Sequence, residues 1–191
     1  MTPEIHPLEP FLPAGAKVLM LGSFPPARHR WGMEFYYPNF QNDMWRIMGL
    51  VFYGSRDKFL APDGKRFDRD AIVGFCTEKG IALSDTAAEA VRLKDNASDA
   101  FLQITRNRDI GELLDKIPEC RAVITTGQKA TETFCSEIPC AEPPVGGYSE
   151  FEYRGRRMTL WRMPSSSRAY PKHLAEKAAI YGDMFREAGI I

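Results

Sequence analysis

Two short segments, far apart in the chain, carry the residue types best suited to bind a flat ligand. The first runs from residue 22 to residue 42 and contains Gly22, Phe24, Tyr37 and Asn42. The second, residues 164–168, contains three consecutive serines. Stacking on an aromatic ring contributes about 1–3 kcal/mol for a nucleobase, and hydroxyl and backbone N–H groups bind phosphates. We therefore expect the two segments to form opposite walls of one cleft that holds a base and its sugar-phosphate.

Such a cleft requires that both segments follow strands of one sheet. Buried strands are predicted at 17–21, 81–83 and 121–125, and a hairpin by 151–153 and 158–161. Helices are predicted to begin at Asn42 and Gly127, to follow Asp109 towards Pro118, and to cover 67–79 and about 171–188. Residues 86–98 show no regular pattern. This alternation predicts a three-layer α/β/α sandwich with a mainly parallel central sheet of about four strands, whose ligand lies at the carboxyl ends of the strands.

Composition narrows the class of protein. The 191 residues are 44% hydrophobic, which suits a single domain over 1–191 with an extended, proline-containing lead-in at 1–14. No apolar run approaches the length of about 18 residues that a membrane span needs, and no secretory signal is recognisable. A cytoplasmic protein without a membrane partner is expected. The four cysteines lack paired spacing and only three histidines occur, so neither a metal nor a cofactor is expected.

The formal net charge is zero, which argues against a strongly basic, non-specific nucleic-acid binder. A local basic face beside the second segment remains an alternative to ordinary solvated charges. Its candidates cluster within nineteen residues of sequence: Arg154, Arg156, Arg157, Arg162, Arg168 and Lys172.

The first segment resembles motif I of the uracil-DNA glycosylase superfamily. The matching residues are Gly22-Ser23-Phe24-Pro25, the pair Tyr36-Tyr37 with Pro38, and Asn42 followed by Trp45-Arg46-Ile47-Met48. The pattern is most similar to the branch called hypoxanthine-DNA glycosylases. Residues 163–167 resemble motif II, and 81–85 and 127–130 resemble the second strand and a later helix start of that family, so the resemblance spans about 17–188.

The resemblance implies that the chain excises a base that has been flipped out of DNA. Asn42 would orient the attacking water, with Ser23 and Asp43 as further catalytic candidates. The base would be bound by a second group of residues: Gly22, Phe24, Tyr37, Ser84, Asp85 and Thr126. DNA would be held by the second segment and its neighbour: Pro164, Ser165, Ser166, Ser167, Arg168 and Lys172. A monomer acting on damaged DNA is expected.

Several alternatives stay open. Asn42 is also a common helix cap, and Asp43 and Asp85 are either carboxylates that activate water or cap and turn residues. Met163 stands where the best-known family members have a His or Asn, and Tyr37 runs directly into Pro38 without an intervening His. From the resemblance as a whole, the expected function is excision of uracil or hypoxanthine from DNA. A non-catalytic binding module of the same fold and a nucleoside hydrolase remain the alternatives.

Overall fold

The computed structural model describes residues 2–94 and 99–191. Its strands, in chain order, are β1 (Glu4–Ile5), β2 (Val18–Gly22), β3 (Ile81–Asp85), β4 (Ala87–Arg92), β5 (Leu102–Asn107), β6 (Ala122–Thr126), β7 (Tyr148–Tyr153) and β8 (Arg156–Met163). Its helices are α1 (Met44–Tyr53), α2 (Arg69–Lys79), α3 (Ile110–Lys116), α4 (Gln128–Glu137) and α5 (Leu174–Glu187). Short 3₁₀ turns lie at Arg28–Arg30 and Asp99–Phe101.

The central sheet has the strand order β3-β2-β6-β8-β7. The first four strands are parallel and β7 is an antiparallel edge strand, paired with β8 through the predicted hairpin. The sheet therefore has five strands, where about four were predicted. Every residue of β2, β3 and β6 is buried, because helices cover both faces of the parallel part.

The two faces of the sheet carry separate hydrophobic cores. On one face, Val18 and Met20 of β2 pack with residues from α1, α2 and α5, including Trp45, Phe75 and Phe185. On the other, Leu19 and Leu21 pack with residues from α3 and α4. The alternation of side chains along β2 thus divides the helices between two layers, and the predicted mixed α/β architecture with a mostly parallel sheet is confirmed.

A second sheet was not predicted. It has the order β1-β4-β5 and is antiparallel throughout. The prediction of irregular structure over 86–98 was therefore wrong for β4, and residues 95–98 lie outside the described residues. The Ala-Ala-Glu-Ala-Val-Arg sequence of β4 carries little strand preference of its own. Its conformation depends on pairing with β1, whose Glu4 and Ile5 lie opposite Ala90 and Glu89, and with β5.

Three helices begin two or three residues later than predicted, among them α2, which begins at Arg69 instead of residue 67. α1 begins at Met44 rather than Asn42. α5 begins at Leu174, because the backbone N–H of His173 donates to Glu176 Oε2 at 2.9 Å in a cap that leaves Pro171 outside the helix. By contrast, Asp68 and Asp109 cap α2 and α3 by accepting from backbone N–H groups in the first turn. Among the described residues, no helix combines the length and the apolar character that crossing a bilayer demands.

Candidate functional site

A cleft of about 640 Å³ opens at the carboxyl ends of the parallel strands. It lies where the chain leaves β2 for β3 on one side and where β6 lies on the other, the point at which the strand order reverses and where open α/β sheets bind ligands. The structure gathers most of the predicted site residues around it: Gly22, Ser23, Phe24, Tyr37, Asn42, Asp85, Thr126, Ser165, Ser166, Ser167 and Arg168. The two segments that the sequence singled out are thus opposite walls of one cleft.

Gly22 is required by the carboxylate of Asp85. The two residues lie side by side at the ends of β2 and β3. A Cβ atom on residue 22 would lie 2.5 Å from Asp85 Oδ1 and 3.6 Å from the hydroxyl of Tyr37. Only a residue without a side chain leaves room for the Asp85 carboxylate at this wall of the cleft.

The Asp85 carboxylate is held from behind by a residue that the sequence did not single out. His6 Nε2 donates to Asp85 Oδ2 at 2.7 Å, and both side chains are almost completely buried. The neighbouring Tyr36 is also buried, and its hydroxyl donates to the backbone oxygen of Glu9 at 2.9 Å. Burial, with the negative charge of Asp85 as a second cause, raises the pKa of Tyr36 well above its usual range, so its hydroxyl keeps its proton.

Tyr37 has a strained backbone. Its φ of 51° lies in the left-handed region, which bulky residues seldom adopt. Its hydroxyl is 3.0 Å from Thr126 Oγ1, and its ring meets that of Trp45 edge to face, with the ring centroids 6.1 Å apart. The strain is thus compensated by contacts to β6 and α1, which fix the ring at the cleft wall.

Asn42 has its side-chain oxygen oriented by α1. The backbone N–H of Met44 donates to Asn42 Oδ1 at 2.9 Å. The N-cap position of α1 is Asp43 and not Asn42, but the Asn42 amide still satisfies the first N–H of the helix. A carbonyl oxygen has two lone pairs, and this bond uses one of them. The half-buried Asn42 also lines the cleft, so capping and a role towards a bound ligand are compatible.

Hydrogen bonds to its backbone oxygens hold the serine-containing turn in place on the side away from the cleft. Ser166 O accepts from the backbone N–H of Asp43 at 2.9 Å, and Ser167 O accepts from Lys177 Nζ at 2.8 Å. Within the turn, Ser165 Oγ accepts from the backbone N–H of Ser167 at 3.1 Å. These bonds leave Ser165 and Ser167 half-buried at the cleft and hold Ser166 in a buried position.

Asp43 does not line the cleft, contrary to what a catalytic carboxylate requires. Its Oδ2 is 3.2 Å from the ammonium group of Lys177, whose side chain is 0% exposed, and its Oδ1 is 3.6 Å from Arg168 Nε. No local sequence signal indicates this pair, because its two residues are 134 positions apart and a Lys in an amphipathic helix is normally solvated. Asp43 joins the start of α1 to the turn.

Three further predicted residues lie outside the cleft lining. The side chain of Ser84 is buried, with its hydroxyl donating to Asp85 O at 3.3 Å, because consecutive strand residues face opposite ways. Pro164 is buried and its backbone oxygen accepts from the Tyr181 hydroxyl at 2.9 Å. Lys172 is half-buried beside the cleft. Met163 is fully buried in the core, so it cannot contact a ligand in the cleft.

Of the two alternatives for the basic residues near the turn, the geometry favours ordinary surface charges over a local basic face. Arg154, Arg156 and Arg157 belong to the hairpin end of β8, and the strand's eight residues separate them from the turn by about 23 Å. There, Arg154 pairs with Asp115 at 2.8 Å and Arg156 donates to the backbone oxygen of Leu114 at 2.8 Å. Arg168, with its side chain 53% exposed, is the cation of the predicted cluster that lines the cleft.

Within residues 2–94 and 99–191, no three His, Cys, Asp or Glu side chains are gathered as a metal site would require. The cleft instead offers rings, hydroxyl groups, the side-chain amides of Asn39, Gln41 and Asn42, and the carboxylate of Asp85. It can therefore stack on a flat ligand, accept hydrogen bonds from it and place a water molecule against it.

No family model matches the sequence, and no curated protein matches it. Among solved structures, the chain is similar to a solution NMR structure of a protein from Methanosarcina acetivorans, provisionally named a uracil DNA glycosylase. The two sequences are 21% identical, the match covers 95% of this chain and 96% of that chain, and the TM-score is 0.61. At this identity the likeness shows a common fold: the chain has the mixed α/β architecture of that solved structure, over nearly its whole length.

Proposed function

We propose that this protein is a monofunctional DNA glycosylase of the hypoxanthine-DNA glycosylase type. It hydrolyses the N-glycosidic bond of a flipped deaminated base, uracil or hypoxanthine, as a monomer and without a metal or cofactor. The observation that carries the proposal is the convergence of Tyr37, Asn42 and the serine-containing turn on one cleft. The fold shared with the Methanosarcina protein supports it.

The cleft suits a flipped nucleotide in size and chemistry. Its volume of about 640 Å³ falls within the range of about 300–1,000 Å³ usual for small-ligand sites. The rings of Phe24 and Tyr37 offer flat faces for stacking, while Asp85 offers an acceptor to the edge of the base. Ser165 and Ser167 lie on the opposite wall, where hydroxyl and backbone N–H groups can bind the phosphates on either side of the flipped nucleotide.

Hydrolysis needs little more than a positioned water molecule. As the bond between C1′ and the base breaks, the base leaves with the electron pair and the sugar becomes positive. Water then adds to C1′, and the proton that it loses neutralises the departing base anion. The second lone pair of Asn42 Oδ1 can accept a hydrogen bond from this water, and the Met44 N–H holds the amide ready. Ser23 and Thr126 line the cleft, where a hydroxyl group could turn to donate to the departing base. Before a ligand binds, the Thr126 hydroxyl donates to Leu21 O at 3.4 Å and lies 3.0 Å from the Tyr37 hydroxyl.

An excision assay tests the proposal. Duplex and single-stranded oligonucleotides, each with one uracil, hypoxanthine or xanthine, are incubated with excess protein, and alkali then cleaves the strand at abasic sites. We expect abasic product from uracil or hypoxanthine. Absence of product from every lesion, with protein shown to be folded by circular dichroism, would refute the enzymatic proposal.

Two variants of Asn42 assign the activity to this cleft. Asn42→Ala is expected to lower the single-turnover rate by about 10²-fold or more, because the water loses its acceptor, while the affinity for lesion DNA is kept. Asn42→Asp preserves an oxygen for the Met44 N–H and should retain more activity than the Ala variant. An unchanged rate in Asn42→Ala would remove this residue from the mechanism.

One observation favours a second candidate, a damaged-base binding module without turnover. Met163 is buried in the core, so the position that holds a His or Asn in the best-known family members supplies no donor to the leaving base here. Such a module would bind lesion DNA more tightly than undamaged DNA and produce no abasic site. Its affinity for lesion DNA would be the same with Asn42 and with the Asn42→Ala substitution. The assays above separate the two candidates.

A further inference from the structure

His6 reaches the cleft from outside the central sheet. It follows β1, the short strand of the second sheet, and its backbone N–H donates to Ala88 O at 2.9 Å. Its side chain is 1% exposed, while the preceding Ile5 is 72% exposed. The N-terminal segment therefore places the His6 side chain in the interior, directly behind Asp85.

The two nitrogens of the His6 ring have separate partners. Nδ1 lies 3.0 Å from Leu8 O and 3.1 Å from the backbone nitrogen of Leu8, and Nε2 lies 2.7 Å from Asp85 Oδ2. The bond to the carboxylate requires a hydrogen on Nε2, because a carboxylate only accepts. The ring also meets Phe24 edge to face, with centroids 5.2 Å apart. His6 thus contacts two residues of the cleft wall, one through a hydrogen bond and one through its ring edge.

Within residues 2–94 and 99–191, no protein hydrogen bond is made to the second oxygen of Asp85, Oδ1. This atom would lie 2.5 Å from a Cβ on Gly22, and both Gly22 and Asp85 line the cleft. A carboxylate with one oxygen bound from behind presents the other as an acceptor in a fixed direction. Such an acceptor recognises a group that carries a hydrogen on its edge.

We propose, resting on the function proposed above, that His6 is a positioning residue: it fixes the Asp85 carboxylate so that Oδ1 accepts the ring N–H of a deaminated base. Deamination converts the ring N3 of cytosine and the ring N1 of adenine from acceptors into N–H donors. One fixed acceptor therefore distinguishes both uracil and hypoxanthine from their parent bases. Thymine and guanine also carry this N–H, so other groups of the cleft must reject them.

The test compares binding rather than turnover. Duplexes carry either a normal base or a lesion on a 2′-fluoroarabino sugar, whose fluorine disfavours a positive sugar and so prevents cleavage. Dissociation constants are measured by fluorescence anisotropy for the wild type, His6→Phe, His6→Gln and the matched control Ile5→Ala. The readout is the ratio of the dissociation constants for undamaged and lesion DNA.

His6→Phe keeps the ring and removes the donor, so the ratio should fall about tenfold or more, the effect of losing a hydrogen bond to a charged group, with affinity for undamaged DNA unchanged. His6→Gln, whose amide can donate to Oδ2, should recover most of the ratio, and Ile5→Ala should leave it unaltered. If His6→Phe keeps the wild-type ratio of dissociation constants, the proposal is overturned. It is also overturned if the Phe and Gln variants both lose the same affinity for lesion DNA and for undamaged DNA.

A second measurement needs no variant. The wild type should bind 3-methyluracil, which lacks the ring N–H, no better than a normal base; binding equal to that of uracil overturns the proposal. A wild type that discriminates lesions but never cleaves them refutes hydrolysis and leaves the His6 proposal standing. A wild type that does not discriminate at all refutes the His6 proposal, even if it cleaves.

Discussion

At the scale of single residues, the shape of the cleft wall depends on the absence of a side chain at Gly22. Gly22 has no positive φ, so its backbone would accept alanine. What excludes a side chain is the Asp85 carboxylate, whose Oδ1 would lie 2.5 Å from the added carbon. Glycine is therefore needed at position 22 because it leaves room for the Asp85 carboxylate, and not because its backbone is flexible.

This reasoning predicts the effect of Gly22→Ala. The added methyl group must displace the Asp85 carboxylate, which should lower the free energy of unfolding by about 1–3 kcal/mol, the usual effect of overpacking, and weaken binding of lesion DNA. Urea unfolding and anisotropy measure the two effects. The matched control is Gly74→Ala in α2, where a Cβ meets nothing within 4 Å and helix preference should raise stability by about 0.5–1 kcal/mol. Equal behaviour of the two variants would contradict the steric argument.

At the scale of elements, the buried Asp43–Lys177 pair joins three parts of the fold. Asp43 precedes α1, Lys177 belongs to α5, and the Lys177 ammonium group also donates to Ser167 O in the turn. Asn42 and the serines therefore share one internal anchor. A change in this anchor should affect both walls of the cleft, although neither charge lines it.

We expect Lys177→Met to lower the free energy of unfolding by about 3–5 kcal/mol, because it leaves the buried carboxylate without its partner. The double variant Asp43→Asn with Lys177→Met should lose less than the sum of the single variants. Lys116→Met provides the control, since Lys116 forms an exposed pair with Glu112 at a helical spacing of four, worth about 0.2–0.5 kcal/mol. Urea unfolding compares all four; similar losses at positions 116 and 177 would contradict a buried anchor.

The elements also show how far sequence reasoning extends. The continuous apolar runs of β2 and β6 and the cap residues Asp68 and Asp109 have local signals, and the structure has these elements near their predicted places. β4 and the contact between His6 and Asp85 have no local signal, because partners distant in the sequence create them. The two walls of the cleft could be predicted because each directly follows a strand of recognisable pattern.

At the scale of the whole molecule, the zero net charge limits how the proposed DNA substrate could be held. The formal net charge is zero, and the hairpin arginines lie far from the cleft, so few phosphates can be neutralised. Binding should therefore depend on salt only weakly, and hydroxyl and backbone N–H contacts should carry more of the affinity than ion pairs do.

Arg168→Ala tests this distribution of charge. It should lower the magnitude of the slope of log K against log salt by about 1, the contribution of one phosphate contact, and weaken lesion and undamaged DNA alike. Arg157→Ala is the matched control, since Arg157 is exposed at the opposite end of β8, where it pairs with Glu150 at 3.4 Å. Identical slopes in the wild type and Arg168→Ala would remove Arg168 from the DNA interface.

The cleft walls come from distant parts of the chain: one from residues 22–42 and the other from residues 165–171. During synthesis the second wall and its anchor in α5 therefore leave the ribosome after the first wall. On the function proposed above, a polypeptide interrupted between the two would have one wall of the cleft and could not hold a nucleotide. Binding would then begin only once α5 has docked.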